Sequence, residues 1–357
     1  MSGPGRDANP QSDVYAGAPH PREATALVGH QAAEATLLES YRSEKLAQAW
    51  LVGGPAGVGK ATLAWRFARF VLAHPDPQGA AVRAAQDLSV DPEAPAARRI
   101  AAMAHPDLAS LRRVWNPKSG SFFTNIRVDD VRQALATFHL SAGAGGWRVC
   151  IVDTAEDLNS EGANALLKMI EEPPARALFL ILAHRPGLTL PTIRSRCRRL
   201  QLDPLSPNDI VRVLRGLGAP LSEVAEADLK GAAERANGSA REALKLVDPE
   251  TAEFGALIAA VIERLPDYDE RTVHQLAETV AGRGARDEME TLTLALYDWL
   301  AARARKRAGE GAERLAPIAE LWDKARAATR EAETYNLDKR LHVLSLFAEL
   351  SAAARRL

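Results

Sequence analysis

Apolar and polar positions along this chain fall into two regimes. Between residues 31 and 205 short apolar runs alternate with segments of helical period, and beyond Leu205 only the helical period continues. The predicted strands Ala49–Val52, Arg148–Val152 and Leu178–Ala183 are apolar on both faces, and Leu108–Val114 reads as a further strand. Strands without polar alternation belong to a parallel sheet covered on both sides. Between them, Gln31–Leu46 reads as helical, and Leu63–Leu72 places apolar residues at 63, 64, 67, 68, 71 and 72. A third helix opens at Asp129 or Asp130 and runs to about Leu140; a fourth, Asn164–Glu171, is halted by Pro173-Pro174.

His74–Ala97 reads as a loop with marginal helix, Asn116–Gly120 as a turn, and Gly143–Gly146 as a glycine-rich turn. Ser206-Pro207-Asn208-Asp209 is a helix start: a capping hydroxyl, a proline in the first turn and a carboxylate three residues on. The predicted organisation is a disordered tail over 1–20, rich in Gly, Pro, Ser and Asp, then an α/β domain with a parallel sheet over 21–205. A small helical domain over 206–250 and an all-helical domain over 251–357 follow.

Length and charge narrow the function. A chain of 357 residues is too long for one ordinary core. Lys plus Arg number 45 against 46 Asp plus Glu, a net charge of −1, which disfavours a protein that grips DNA alone by neutralising phosphates. Two cysteines, Cys150 and Cys197, cannot supply a four-ligand zinc site or a disulfide framework, so no metal site is expected. The longest apolar run, Ala177–Ala183, is far below the ~20 residues that cross a bilayer. The first residues lack the apolar stretch of a signal peptide. The expectation is a cytoplasmic protein with no membrane partner.

Gly54-Pro55-Ala56-Gly57-Val58-Gly59-Lys60 fits G-x-x-x-x-G-K between a strand and a helix. Such a loop turns backbone N–H groups onto phosphate oxygens, and Lys60 would reach the outer phosphates. The residue after that lysine normally supplies a hydroxyl to Mg²⁺. Here it is Ala61. Thr62, one position on, lies ~100° round the helix, so its hydroxyl is expected to point away unless a local shift compensates. Val149–Asp153 resembles the strand whose terminal Asp, here Asp153, holds a magnesium water. The next position, where a hydrolysing relative carries a glutamate, is Thr154, and Glu156 cannot be assumed to reach. Nucleotide docks without turnover on this reading, because losing a general base alone costs about 10²–10⁴-fold.

The phosphate loop, the run Asn164-Ala165-Leu166-Leu167-Lys168-Met169-Ile170-Glu171-Glu172-Pro173-Pro174 and the segment Ile193-Arg194-Ser195-Arg196-Cys197 together resemble the bacterial DNA polymerase III clamp-loader subunits of the AAA+ superfamily. The likeness covers residues from about 20 to 250, and the C-terminal helices resemble the family's collar more loosely. It implies an AAA+ α/β P-loop domain, a helical lid and an all-α collar for oligomerisation. Within the family, the degraded metal ligand and missing glutamate point to the non-hydrolysing delta-prime branch; the alternative is an ATP-hydrolysing, gamma/tau-like subunit.

The resemblance further implies a stator with no activity alone, a subunit of the DNA polymerase III holoenzyme. Arg196 would act in trans as an arginine finger on a neighbour's γ-phosphate. The implied partners are gamma/tau and delta subunits, with the sliding clamp and primed DNA met through the assembled complex. No cofactor is required, although ATP or ADP bound weakly is compatible. Many relatives carry a four-cysteine zinc module where His74–His105 has no cysteine, so no zinc is expected. His184 falls at the family's polar sensor, usually Thr or Asn. Arg241 falls at a second sensing arginine of the lid, or serves as a brace. For Arg196 the plainer alternative is a solvated basic edge shared with Arg194, Arg198 and Arg199.

Overall fold

The computed structural model describes residues 10–15, 18–119, 121–136, 138, 146–219, 221–282, 286–307, 309, 312–335 and 337–355. The chain divides into two compact units, Met1–Leu244 and Lys245–Leu357.

In the first unit, α1 (Gln31–Arg42), β1 (Ala49–Gly53), α2 (Lys60–Ala73), α3 (Ala80–Ala84) and α4 (Pro95–Ala101) come first. They are followed by β2 (Leu108–Leu111), β3 (Trp115–Asn116), β4 (Ser121–Phe122), α5 (Val128–Ala136) and β5 (Arg148–Val152). Then come α6 (Ser160–Glu171), β6 (Ala177–Ala183), α7 (Pro191–Arg196) and β7 (Arg198–Gln201). Helices α8 (Pro207–Gly216), α9 (Glu226–Arg235) and α10 (Ala240–Val247) complete the series, with the division between units falling inside α10.

Five strands form a sheet in the order β2-β5-β6-β1-β7, all neighbours parallel. Alternate residues of each strand face opposite sides, and each side has its own core. Trp50, Val52, Val149, Ile151, Leu178, Leu180 and Leu182 pack with the apolar stripes of α1 and α2. Leu51, Cys150, Val152, Phe179 and Ile181 pack with Val131 and Leu135 of α5 and Leu166 and Ile170 of α6. Every residue of β1 and β6 is buried, which is why those strands carry no polar alternation. Cys150 and Cys197 are free buried thiols, and burial pushes both up to about 12.

Several expectations need correction. Residues 198–201 form β7, paired with β1 in the register Trp50↔Arg198 to Gly53↔Gln201. An edge strand has one neighbour and tolerates charged side chains, so Arg198-Arg199-Leu200-Gln201 gave no apolar signal. Residues 74–97 hold the five-residue α3 and the start of α4, as expected of a loop with marginal helix, yet Val82 of α3 and Leu88 of the connecting loop are buried in the first core. A short hairpin pairs β3 with β4, Trp115↔Phe122 and Asn116↔Ser121; of the turn expected over Asn116–Gly120, Gly120 lies outside the described residues. Helix α6 begins at Ser160, because Asn159 accepts a hydrogen bond from Gly162 N at 2.7 Å and caps it. Of the turn at Gly143–Gly146, only Gly146 lies within the described residues. The helical segment expected as a separate domain over 206–250 clusters with the α/β unit as far as Leu244.

The second unit contains α11 (Pro249–Glu263), α12 (Glu270–Ala281), α13 (Arg286–Lys306), α14 (Ala312–Tyr335) and α15 (Lys339–Ala354). Their apolar sides meet in one cluster that includes Ile258, Leu276, Leu292, Ile318 and Phe347. Asp248, Asp269 and Asp338 cap α11, α12 and α15, accepting from Thr251 N at 2.9 Å and from Arg271 N and Leu341 N at 3.1 Å each. Trp322 stacks on Tyr297, the ring centroids 5.2 Å apart. No helix among the described residues is long and apolar enough to cross a membrane.

Candidate functional site

In open parallel sheets, ligands bind beyond the carboxyl ends of the strands. Here β1 delivers the phosphate loop to that edge, β5 delivers Asp153, β6 delivers His184, and β2 delivers Arg112 and Arg113. The loop needs its glycines: Gly54, Gly57 and Gly59 have φ of 147°, 76° and 107°, values that L side chains rarely adopt. A Cβ on Gly54 would stand 2.7 Å from Leu202 O, and one on Gly57 would stand 2.3 Å from Ser239 Oγ. The turn at 238–241 is latched to the loop by Ala240 N donating to Gly57 O at 3.0 Å. From the other side, the buried His30 donates through Nε2 to Val58 O at 2.6 Å.

Lys60, the first residue of α2, is buried and folded back on its own loop, donating to Gly54 O at 2.8 Å and Pro55 O at 2.6 Å. Burial pulls it down to about 8, against the pull of Asp153 and Glu156. Burial pushes Asp153 up to about 7, with Asp13 adding repulsion and Lys60 opposing. Burial, reinforced by the charge of Lys60, pushes His184 down to about 4. Its Nδ1 is buried and meets no hydrogen-bond partner. Thr154 is buried directly after Asp153. Glu156 turns toward the end of β6, where Oε1 accepts from Arg185 N at 2.7 Å and Oε2 is buried without a partner.

Gly57, Gly59, Lys60, Ala61, Thr62, Asp153, His184 and Arg241 all border one cavity of about 450 Å³. Gly54 and Pro55 shape it through their contacts with Lys60. Thr62, one helix position beyond Ala61, is among the residues that border it. The predicted tail needs correction, because part of it is built into this region. Asp13 accepts from Arg112 Nη1 at 3.0 Å on both oxygens and stands 2.9 Å from His20 Nε2. The ring of Tyr15 lies 5.9 Å from the guanidinium of Arg241. Residues 1–9 lie outside the described residues.

Other supporting residues were not singled out from the sequence. Arg66, on α2, donates through Nε and Nη2 to Glu34 Oε1 at 3.0 and 2.8 Å in a buried pair, and also donates to Thr25 O. Arg69 donates to Ala24 O at 3.0 Å and to Arg22 O. The helix that carries Lys60 therefore also fixes the 22–25 segment next to the cavity. Two arginines on a predicted helix were the visible clue; their acceptors, mostly backbone carbonyls, were not.

Arg196 borders none of this. It ends α7, where Nη2 lies 2.6 Å from Glu171 Oε1 and Nη1 donates to Thr192 O at 3.2 Å. Both side chains of the pair are substantially exposed, at 40% and 45%. Arg198 lies 4.9 Å from the Trp50 ring, so the arginines of this edge do not share one environment.

The residues present fit a phosphate group: a glycine loop with no room for side chains, a helix N-terminus without a side-chain cap, and a buried lysine. They do not fit a magnesium ion of the usual kind. Ala61 offers a methyl where the hydroxyl ligand belongs.

The pattern of the family described as DNA polymerase III, delta subunit matches residues 29–206. DNA polymerase III subunit delta' of Pseudomonas aeruginosa is 38% identical over 152 residues, 42% of each chain. DNA polymerase III subunit tau of Bacillus subtilis is 27% identical over 74% of this chain and 45% of its own length. A DNA polymerase III gamma subunit-related protein from Thermotoga maritima aligns over 89% of this chain and 100% of its own, with TM-score 0.46 and 18% identity. The chain thus spans less than half the length of the curated relatives it matches. Residues 29–206 thus carry the pattern of the DNA polymerase III delta-subunit family, and the chain is similar to curated delta' and tau subunits of DNA polymerase III.

Proposed function

We propose that this chain is a non-hydrolysing subunit of a DNA polymerase III clamp loader. As a stator it lends Arg196 to a neighbouring subunit's ATP and helps load the sliding clamp onto primed DNA. Its partners on this reading are gamma/tau and delta subunits, joined through the helices of residues 251–357, with the clamp and DNA met through the assembled complex. The observation that carries the reading is the contrast between an exposed guanidinium at the end of α7 and a pocket without its hydroxyl ligand and water-readying carboxylate. Forked guanidinium donors match phosphate oxygens, and an arginine supplied in trans is worth about 10³–10⁵ in rate. Reconstituting the loader with Arg196→Ala tests it: subunits should still assemble while ATP hydrolysis falls, and an undiminished rate removes the assignment.

A second reading, an ATP-hydrolysing gamma/tau-like subunit, is favoured by one observation. Glu156, rather than position 154, presents a buried carboxylate oxygen without a partner, and its charge is felt at Lys60 and His184. That reading requires turnover by the isolated chain that disappears in Glu156→Gln.

A further inference from the structure

We propose that Arg113 takes the place of magnesium in this pocket, so that Lys60 and the Arg113 guanidinium hold a nucleotide's phosphate tail without a divalent cation. The inference rests on the non-hydrolysing reading above and says how such a pocket binds. Strands β2 and β5 run in register to Leu111↔Val152. Arg112 and Arg113 therefore leave the sheet beside Asp153 and Thr154, at the edge where the phosphate loop lies. Arg112 is committed to Asp13, at 3.0 Å from both carboxylate oxygens.

Arg113 is not committed in the same way. It borders the cavity together with Lys60, Ala61 and Asp153. Its side chain is 12% exposed, and its nearest carboxylate oxygen, Asp157 Oδ2, stands 3.3 Å from Nε. That contact lacks hydrogen-bond geometry: Nε and Nη1 are both buried with no hydrogen-bond partner. Buried donors of a charged group are seldom left unmade, because the desolvation cost then stands uncompensated. Bidentate phosphate oxygens suit a planar guanidinium, which remains charged at any pH the protein meets.

The substitution at position 61 and the arginine at position 113 then form one device. Ala61 removes an oxygen from the metal's coordination shell, and Arg113 supplies positive charge to the same cavity. A guanidinium neutralises phosphate but cannot take a proton from water, so with no carboxylate at position 154 binding is kept while cleavage is not.

Calorimetric titration of ADP and of ATP into the full-length protein, in magnesium and in EDTA, tests this. Wild-type affinity should change by no more than about threefold when magnesium is removed. Arg113→Ala should weaken ADP binding in EDTA by about tenfold or more, with Arg113→Lys retaining part of it, as expected for a charge-assisted phosphate contact. Thermal unfolding of Arg113→Gln checks that the fold survives, and the wild-type comparison needs no variant. A wild-type affinity that collapses in EDTA overturns the inference, and so does an Arg113→Ala affinity equal to wild type. Absence of any binding also overturns it while leaving the role of Arg196 intact, whereas steady phosphate release would remove the functional reading instead.

Discussion

The phosphate loop and the Arg196 edge belong to one α/β unit and are built in opposite ways. Around the loop, charged groups are enclosed and held by the chain itself: Lys60 by two carbonyls, Arg66 by Glu34, Asp13 by Arg112 and His20. At the edge, Arg196 and Glu171 meet in the open. Separating an exposed pair costs at most about 1 kcal/mol, whereas removing one partner of a buried pair costs about 3–5 kcal/mol. The loop is therefore a fixed part of the framework, and Arg196 can leave Glu171 for a better acceptor at little cost.

The widest separation between the two regions is expected in the assembled loader. Arg196→Ala should slow hydrolysis in the pocket that receives it by about 10³-fold or more. Lys60→Ala in this same chain should leave the assembly's turnover nearly unchanged. Single-turnover phosphate release measured on both reconstitutions decides it, and equal losses would erase the distinction.

Stability should show the reverse order. Glu34→Ala strands the buried Arg66 guanidinium and should lower the unfolding free energy in urea by about 3–5 kcal/mol. Glu171→Ala should lower it by less than about 1 kcal/mol. Matching losses would mean that enclosure does not separate the two pairs.

A pH series probes the pocket alone. Asp153 titrates at about 7 in the folded chain against 3.8 as its ordinary value. Between those values the folded state holds the extra proton, so this carboxyl's contribution to stability is present at low pH and lost as pH rises through that window. The slope is about 1.4 kcal/mol per pH unit at most. Asp153→Asn should remove that slope, so the variant gains on wild type between pH 4 and 7 in paired urea titrations. Parallel curves would show that Asp153 is not desolvated as described.

The central strands were legible because β1 and β6 are buried on both faces and left unbroken apolar runs. The gap at Ala61 was equally plain, since the motif fixes which residue must follow the lysine. Strand β7 was hidden because an edge strand that carries Arg198 and Arg199 has no apolar pattern to show. The Asp13–Arg112 pair joins residues 99 apart, and Asp13 lies in a segment whose composition reads as a loose tail. Arg113 follows a strand end, the one signal available, but nothing in a single sequence tells which of two adjacent arginines is hydrogen-bonded to a carboxylate.

The most direct test is phosphate release by the purified chain alone, supplied with ATP and magnesium. With Ala61 at the metal position and Thr154 after Asp153, no repeated turnover above background is predicted. Sustained turnover that vanishes in Lys60→Ala would contradict the account.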